Sequence, residues 1–337
     1  MTTLKIGLIG AGRIGQVHAS TIKTRVPQAE LVAVADVIEA AAKTCADKYH
    51  ITSFTSDPQA IINDPGIQAV LICSVTDTHA SLIEAAAKAG KHIFCEKPIA
   101  LDLKPIDDAL AAVAKAGVKL QIGFNRRFDA NFKRVRDAVV RGEIGEPHIL
   151  HIISRDPAPP PLAYVKISGG LFVDMAIHDF DMARYLIGSE IDEVFVQAAV
   201  RVDPAIGEAG DVDTAVTMLR FANGVIGTID NSRQAVYGYD QRVEVFGSKG
   251  AINTLNNYAN QAVLSTADSV HRDLPLNFFM QRYIEAYASE IEAFVDAVTN
   301  NTPTLVGGHD GKMAGVVAMA AKKSWLEKRP VKVAEIS

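Results

Sequence analysis

Five apolar runs, "LKIGLIG", "ELVAVAD", "AVLICS", "KHIFCEK" and "VKLQIGF", punctuate residues 1–123, and helix-patterned segments such as "SLIEAAAKAG" and "IDDALAAVAKAG" lie beside them. A strand that is apolar at successive positions offers no face to water, so it must be covered on both sides. Strands of that kind alternating with amphipathic helices predict a parallel, doubly wound α/β sheet.

The first crossover adds chemistry to this pattern. Gly10, Gly12 and Gly15 spell G-x-G-x-x-G directly after "KIGLI" and at the head of "RIGQVHASTI". There the first glycine allows a tight turn, the second lets a pyrophosphate approach the backbone, and the third lets helix and strand pack closely. The helix start, with Arg13 and Ile14 beside Gly12, offers N–H groups and a positive dipole end to phosphates. Asp36 closes the second run 21 residues after Gly15, where a carboxylate can accept from a ribose 2′-OH. Its charge opposes a 2′-phosphate, and "DVIEAA" brings no compensating arginine, so NAD is expected over NADP. The competing reading is a tight turn with no ligand. In such a Rossmann sheet, ligands sit beyond the carboxyl ends of the strands. That rule nominates Ser74, Thr76 and His79 in "CSVTDTHASL", and Glu96 and Lys97 in "CEKP", as cofactor-side residues. A helix cap at Thr76 and a surface loop at "EKP" are the plainer alternatives.

Residues 124–337 read differently. After "GFNRRFD" and the helical "FKRVRDAVVRGEIG" come strand-like runs, among them "HILHIISR", "EVFVQAAVRV", "DTAVTMLRFA", "GVIGTIDNSR" and "QRVEVFGSKG", with "FANG" as a hairpin turn. They predict an α+β second domain with a large, open and mostly antiparallel sheet. "GGLFVDMAIHDFDMARYL", residues 169–186, predicts a helix covering one face of that sheet. An uncovered second face usually marks a subunit interface. On this helix Asp174 and His178 are four residues apart and share one side. A structural hydrogen bond is one alternative use of the pair. Metal binding with Asp179 and Asp181 is another, but consecutive positions face different ways, so no metal site is expected.

Composition narrows the partners. The chain has 34 Lys+Arg against 39 Asp+Glu and no basic stripe, so nucleic acid is not an expected partner. "MTTLKIGLIG" carries no charged leader pattern, and no apolar run approaches the roughly 18 residues of a membrane span. Cys45, Cys73 and Cys95 are odd in number and lack C-x-x-C spacing, which fits a reduced, cytoplasmic protein. Oxidising an alcohol needs a hydride acceptor and a base, and an imidazole such as His178 suits the second role. A cation such as Lys97 would keep that imidazole neutral and stabilise an alkoxide, while Asp174 would orient the ring or bind another hydroxyl.

The G-x-G-x-x-G, the "EKP" tripeptide and the G-G-x-x-x-D-x-x-x-H helix together resemble the family of glucose-fructose oxidoreductase, inositol dehydrogenase and related proteins, over essentially the whole chain. "GFNRRFD", "GGLFVDMAIHDFD" and "VYGYDQRVEVFG" look most like inositol 2-dehydrogenases, which oxidise myo-inositol to scyllo-inosose with NAD. The resemblance implies that Lys97, Asp174 and His178 are catalytic, with His178 as base, and that Arg126 and Tyr237 contact substrate. It also implies a homotetramer packed through the open sheet. In "ISRDPAPPP", Arg155 and Asp156 stand where those enzymes carry polyol-touching polar residues, which makes Asp156 a further substrate contact. That loop, and Asn125 in place of an apolar residue, leave scyllo-inositol, D-chiro-inositol and an aldose as alternative substrates. A non-catalytic NAD-binding sensor and a metal-dependent hydrolase are the alternatives from other classes.

Overall fold

The computed structural model describes residues 3–336. Its first eleven elements are β1 (Leu4–Ile9), α1 (Arg13–Arg25), β2 (Ala29–Ala35), α2 (Glu39–Tyr49), β3 (Ser53–Thr55), α3 (Pro58–Ile62), β4 (Ala69–Ile72), α4 (Thr76–Lys88), β5 (His92–Glu96), α5 (Leu103–Ala116) and β6 (Leu120–Gly123). The strands form one sheet in the order β3-β2-β1-β4-β5-β6, with every pair parallel. The five apolar runs are its strands, and β4 is fully buried along its length, as strands covered on both faces must be. The sixth strand, β3, is short and mostly exposed, so no apolar run announces it. The order reverses between β1 and β4, which puts the glycine turn after β1 beside the loop after β4.

The next elements are α6 (Ala130–Val140), β7 (Pro147–Arg155), α7 (Leu162–Val165), α8 (Ile177–Ile187), β8 (Ile191–Ala199), α9 (Pro204–Glu208), β9 (Thr214–Phe221), β10 (Ile226–Ser232), β11 (Asp240–Gly247), β12 (Gly250–Asn253) and the hairpin β13 (Val263–Ser265) with β14 (Val270–Arg272). With β15 (Val331–Lys332) they build a seven-stranded sheet, β12-β11-β7-β10-β9-β8-β15. It is antiparallel except where β7 and β10 run side by side in the same direction. Along β9, Ala215, Thr217, Leu219 and Phe221 are buried, whereas Val216 and Met218 are about half exposed. That alternation is the signature of a sheet covered on one face.

The expected helix over 169–186 is interrupted. Leu171–Met175 forms a single π-helical turn, and α8 begins only at Ile177. Gly169 and Gly170 both take positive φ just before the turn, at 86° and 81°.

Three helices remain: α10 (Phe279–Arg282), α11 (Ile284–Thr299) and α12 (Gly308–Glu327). Ile291, Phe294 and Val295 of α11 join the hydrophobic core under β1, β2 and β4. For that reason the first compact unit comprises the chain up to Phe128 together with Glu285–Gly315, in place of a single cut after residue 123. The second comprises Asp129–Ile284 and the chain from Val316 onward. Among the described residues, no helix is long and apolar enough to cross a membrane.

Within the first unit, α11 brings Glu290 into a buried cluster. His18 Nε2 lies 2.6 Å from Glu96 Oε1, in hydrogen-bond contact, and one ligating atom from each of His18, Glu96 and Glu290 lies within 4.8 Å of the others. Gly123 sits beside Glu96 in the sheet, and a Cβ there would come within 2.9 Å of Glu96 Oε2. Burial, reinforced by the Glu96 charge, pushes the Glu290 carboxyl well above the ordinary carboxylate range. A carboxyl raised on folding retains a proton that the unfolded chain releases, so its contribution is present at low pH and lost as pH rises. Glu290→Gln is therefore expected to stabilise the protein increasingly above pH 5, by up to about 1.4 kcal/mol per pH unit until the folded-state pKa is passed. Urea unfolding of both proteins at pH 5, 6.5 and 8 checks this; a pH-independent difference contradicts it.

Candidate active site

The turn between β1 and α1 is built to receive an anion. Gly10 has φ +101°, and a Cβ there would collide with the Cys73 backbone at the end of β4. A Cβ on Gly15 would overlap the Gly10 carbonyl oxygen, so helix and strand meet backbone to backbone. Gly12, by contrast, has open space where its Cβ would stand, and no side chain caps the start of α1. Two of the glycines thus serve the fold, and the third leaves uncapped N–H groups facing free volume. Arg13 is exposed and Ile14 half-buried in this first turn. Asp36, just past β2, accepts the Ala11 N–H on Oδ2 at 2.8 Å and the Ile38 N–H on Oδ1 at 2.9 Å. Its carboxylate is thereby fixed to the glycine turn, and the cradle fits a dinucleotide.

The strand ends beside this turn divide into two groups. Ser74 stays half-buried, its hydroxyl 2.7 Å from that of Thr78, and Thr76 is the half-buried first residue of α4. His79 departs from expectation. Its ring is buried, with Nδ1 2.8 Å from the Pro98 carbonyl and Nε2 3.0 Å from the Ser74 carbonyl. It braces the two loops from beneath, because on α4 it lies on the side packed against the sheet. The Glu96 side chain likewise faces away from the ligand edge, since the end of β5 turns its carboxylate inward to His18. Lys97 comes next, half-buried and joined to Pro98 by a cis peptide bond.

In the second unit Asp174 lies on the π-helical turn, a distortion that often accompanies function. Tyr164 Oη donates to its Oδ1 at 2.9 Å, and Arg233 Nη1 donates to its Oδ2 at 3.2 Å. His178 is the half-buried second residue of α8. Asp179 is fully buried and accepts the Asn231 Nδ2–H at 2.8 Å. Among the described residues, the grouping of three ligating side chains close enough for one ion is His18, Glu96 and Glu290; it does not include His178. In that trio the 2.6 Å imidazole–carboxylate spacing is that of a hydrogen bond, tighter than the roughly 3.3 Å between neighbouring ligands of a tetrahedral ion.

Of the expected substrate contacts, Arg126 is buried in the turn Asn125–Phe128 of the first unit, and the others belong to the second. Asp156 has its backbone pinned, its N–H donating to Ser232 O at 2.9 Å and its carbonyl accepting from Ala235 N at 2.6 Å. Tyr237 Oη donates to Asp240 Oδ2 at 2.6 Å and accepts from Arg155 Nη1 at 3.0 Å. Burial, with the hydrogen bond to Asp240, raises the Tyr237 phenol, so it remains protonated at neutral pH. Burial also pulls the Asp240 carboxyl upward, but hydrogen bonds from Arg242, Tyr237 and Asn256 outweigh it and leave that group below its ordinary value. Sequence reasoning missed Arg233, His18 and Glu290. The available signal at Arg233 was a cation two residues after Asn231 on the buried face of an apolar-patterned strand.

Comparison with known proteins places this geometry. Residues 4–124 match the model of the oxidoreductase family with an NAD-binding Rossmann fold, and residues 132–253 match the GFO/IDH/MocA C-terminal domain. The chain is 51% identical to a myo-inositol 2-dehydrogenase of Thermotoga maritima, with 99% of each chain covered. It is 49% identical to an inositol 2-dehydrogenase of Rhizobium meliloti, covering 98% of this chain and 100% of the relative. A solved scyllo-inositol dehydrogenase from Lactobacillus casei, with bound NAD(H) and scyllo-inositol, superposes with a TM-score of 0.93 at 31% identity, covering 99% of this chain and 100% of the other. A dinucleotide cradle after β1, the matched second sheet and this degree of identity agree: the chain belongs to the GFO/IDH/MocA family of oxidoreductases, with an NAD-binding Rossmann domain.

Proposed function

We propose that the protein oxidises a ring hydroxyl of an inositol with NAD, converting myo-inositol to scyllo-inosose. The observation that carries this reading is the coexistence of the Asp36-tied glycine cradle with Asp174 and His178 at the head of α8, in a chain about half identical to inositol 2-dehydrogenases. NAD, when bound, supplies the hydride acceptor. Gly10, Gly12, Arg13, Ile14, Gly15, Asp36, Ser74 and Thr76 hold it. His178 takes the hydroxyl proton onto its imidazole, the residue type whose ordinary pKa lies nearest neutrality. Lys97 supplies a positive charge that steadies the alkoxide as it forms. Asp174 accepts a second hydroxyl or orients the ring, and Arg126, Asp156 and Tyr237 bind the polyol. Tyr237 retains one lone pair for this, because its proton goes to Asp240 and its other lone pair to Arg155. The open sheet face, with Val216, Met218, Ile226 and Phe246 each about half exposed, is the surface we assign to subunit contact in a homotetramer.

A panel of myo-, scyllo- and D-chiro-inositol and aldoses, assayed for reduced-cofactor absorbance with NAD and NADP, tests the substrate. Lys97→Ala and His178→Ala are each expected to lower turnover of myo-inositol by roughly 100-fold or more while NAD still binds. Near-normal turnover in either variant contradicts the assignment, and NAD binding with no polyol turned over by the wild-type protein favours the sensor. Asp36→Ala is expected to weaken NAD by about tenfold or more and to raise the NADP-to-NAD activity ratio, since it removes both the ribose acceptor and the charge opposing a 2′-phosphate. Unchanged cofactor selectivity counts against that role.

A further inference from the structure

The last residues of β10 alternate across the sheet. Asp230 turns to Arg155 on one side, whereas Asn231 and the following Arg233 reach the buried side. Arg233 is 1% exposed, among the largest side chains buried in the molecule. A guanidinium so far from water needs anionic partners, and two are in place. Nη1 donates to Asp174 Oδ2 at 3.2 Å, and Nη2 lies 3.8 Å from Asp211 Oδ2.

Asp211 in turn accepts the Leu171 N–H with both oxygens, at 3.1 and 3.0 Å, at the start of the π-helical turn that carries Asp174. The fit depends on Gly170, where a Cβ would come within 2.6 Å of Asp211 Oδ1. Arg233 is itself held, its N–H donating to the Asp213 carbonyl at 2.8 Å. Asp213 is fully buried and accepts the N–H groups of Arg201, Val202 and Asp203. One buried cation thus ties both the first N–H of the turn, through Asp211, and the carboxylate on that turn. Asn231 fixes α8 one helical turn further along, through Asp179.

We infer that Arg233 is a positioning residue for the oxidation: it fixes the Asp174 carboxylate in the direction in which it meets the polyol, with Asp211 as its counter-anchor. The inference rests on the assignment of Asp174 to the substrate site. A carboxylate on a helical turn has several rotamers, and the ionic hydrogen bond from Arg233 to one oxygen, with the Tyr164 hydroxyl on the other, selects one of them.

A double-mutant cycle tests it, with kcat and KM for myo-inositol, Kd for NAD and the melting temperature measured for Arg233→Met, Arg233→Lys, Asp174→Asn and Arg233→Met/Asp174→Asn. Arg233→Met is expected to lower kcat/KM for myo-inositol by about 100-fold and to leave Kd for NAD within about threefold. Arg233→Lys keeps the charge without the fork and should recover a part of that loss. The double variant should be no worse than Asp174→Asn alone, because a residue acting through Asp174 has nothing left to position. If the two losses instead multiply while Asp174→Asn is crippled, Arg233 serves the fold only and the proposal is overturned with the substrate site intact. If Asp174→Asn turns over myo-inositol normally, the assignment of Asp174 falls, and Arg233 falls with it. Should Arg233→Met fail to fold, Arg233→Lys against Asp174→Asn gives the same cycle: non-additive losses support the positioning role, and losses that multiply overturn it.

Discussion

Six strands running in one direction place all their carboxyl ends on one edge of a sheet, and the chemistry of the first unit follows from that constraint. The strand order reverses between β1 and β4, so the loops there part instead of closing over each other. Into that gap go the glycine turn, the Ser74–Thr76 segment and, one strand further on, Lys97. None of these residues is near the others in sequence, and none needs a special helix or insertion to reach the others. The buried brace under them follows from the same geometry. His79 spans the carbonyls of Ser74 and Pro98, and Gly123 clears the space that lets Glu96 turn inward to His18.

The second unit solves a different problem. An open, largely antiparallel sheet has one covered face, and charged groups on that face must be paired. Asn231 of β10 and Arg233 just beyond it reach that face, and each takes an aspartate at the head of the helical segment above it. Such pairs are poor sources of net stability, because two desolvation penalties oppose one attraction. What they supply is direction. A single π-helical turn is an uncommon way to begin a helix, and it persists here where Asp211 and Arg233 hold it from the ends of the strands and the loop beside them.

Much of this was legible in the residues. Apolar runs without alternation announce a parallel sheet, and the glycine spacing with Asp36 announces a dinucleotide turn, because both signals are local. The second domain's sheet was legible for the same reason, although the parallel pairing of β7 with β10 left no trace in either run. The misreadings share one cause: whether a polar side chain faces the ligand edge or the core depends on neighbours far along the chain. His79 sits two residues past Asp77 at the head of α4, yet the sheet side of that helix claims it. Glu96 finds His18 across 78 residues, and Asp174 finds Arg233 across 59. Glu290 arrives on a helix nearly 170 residues beyond β6, on a stretch where the chain returns to its first core.

The decisive position is that of one imidazole. A crystal structure of the protein with reduced cofactor and myo-inositol should place a ring nitrogen of His178 within about 3.2 Å of the oxygen on the carbon nearest the nicotinamide, with the Lys97 ammonium on that same oxygen. A ring turned away from the polyol, or separated from that oxygen by more than one water, would contradict the proposed proton transfer.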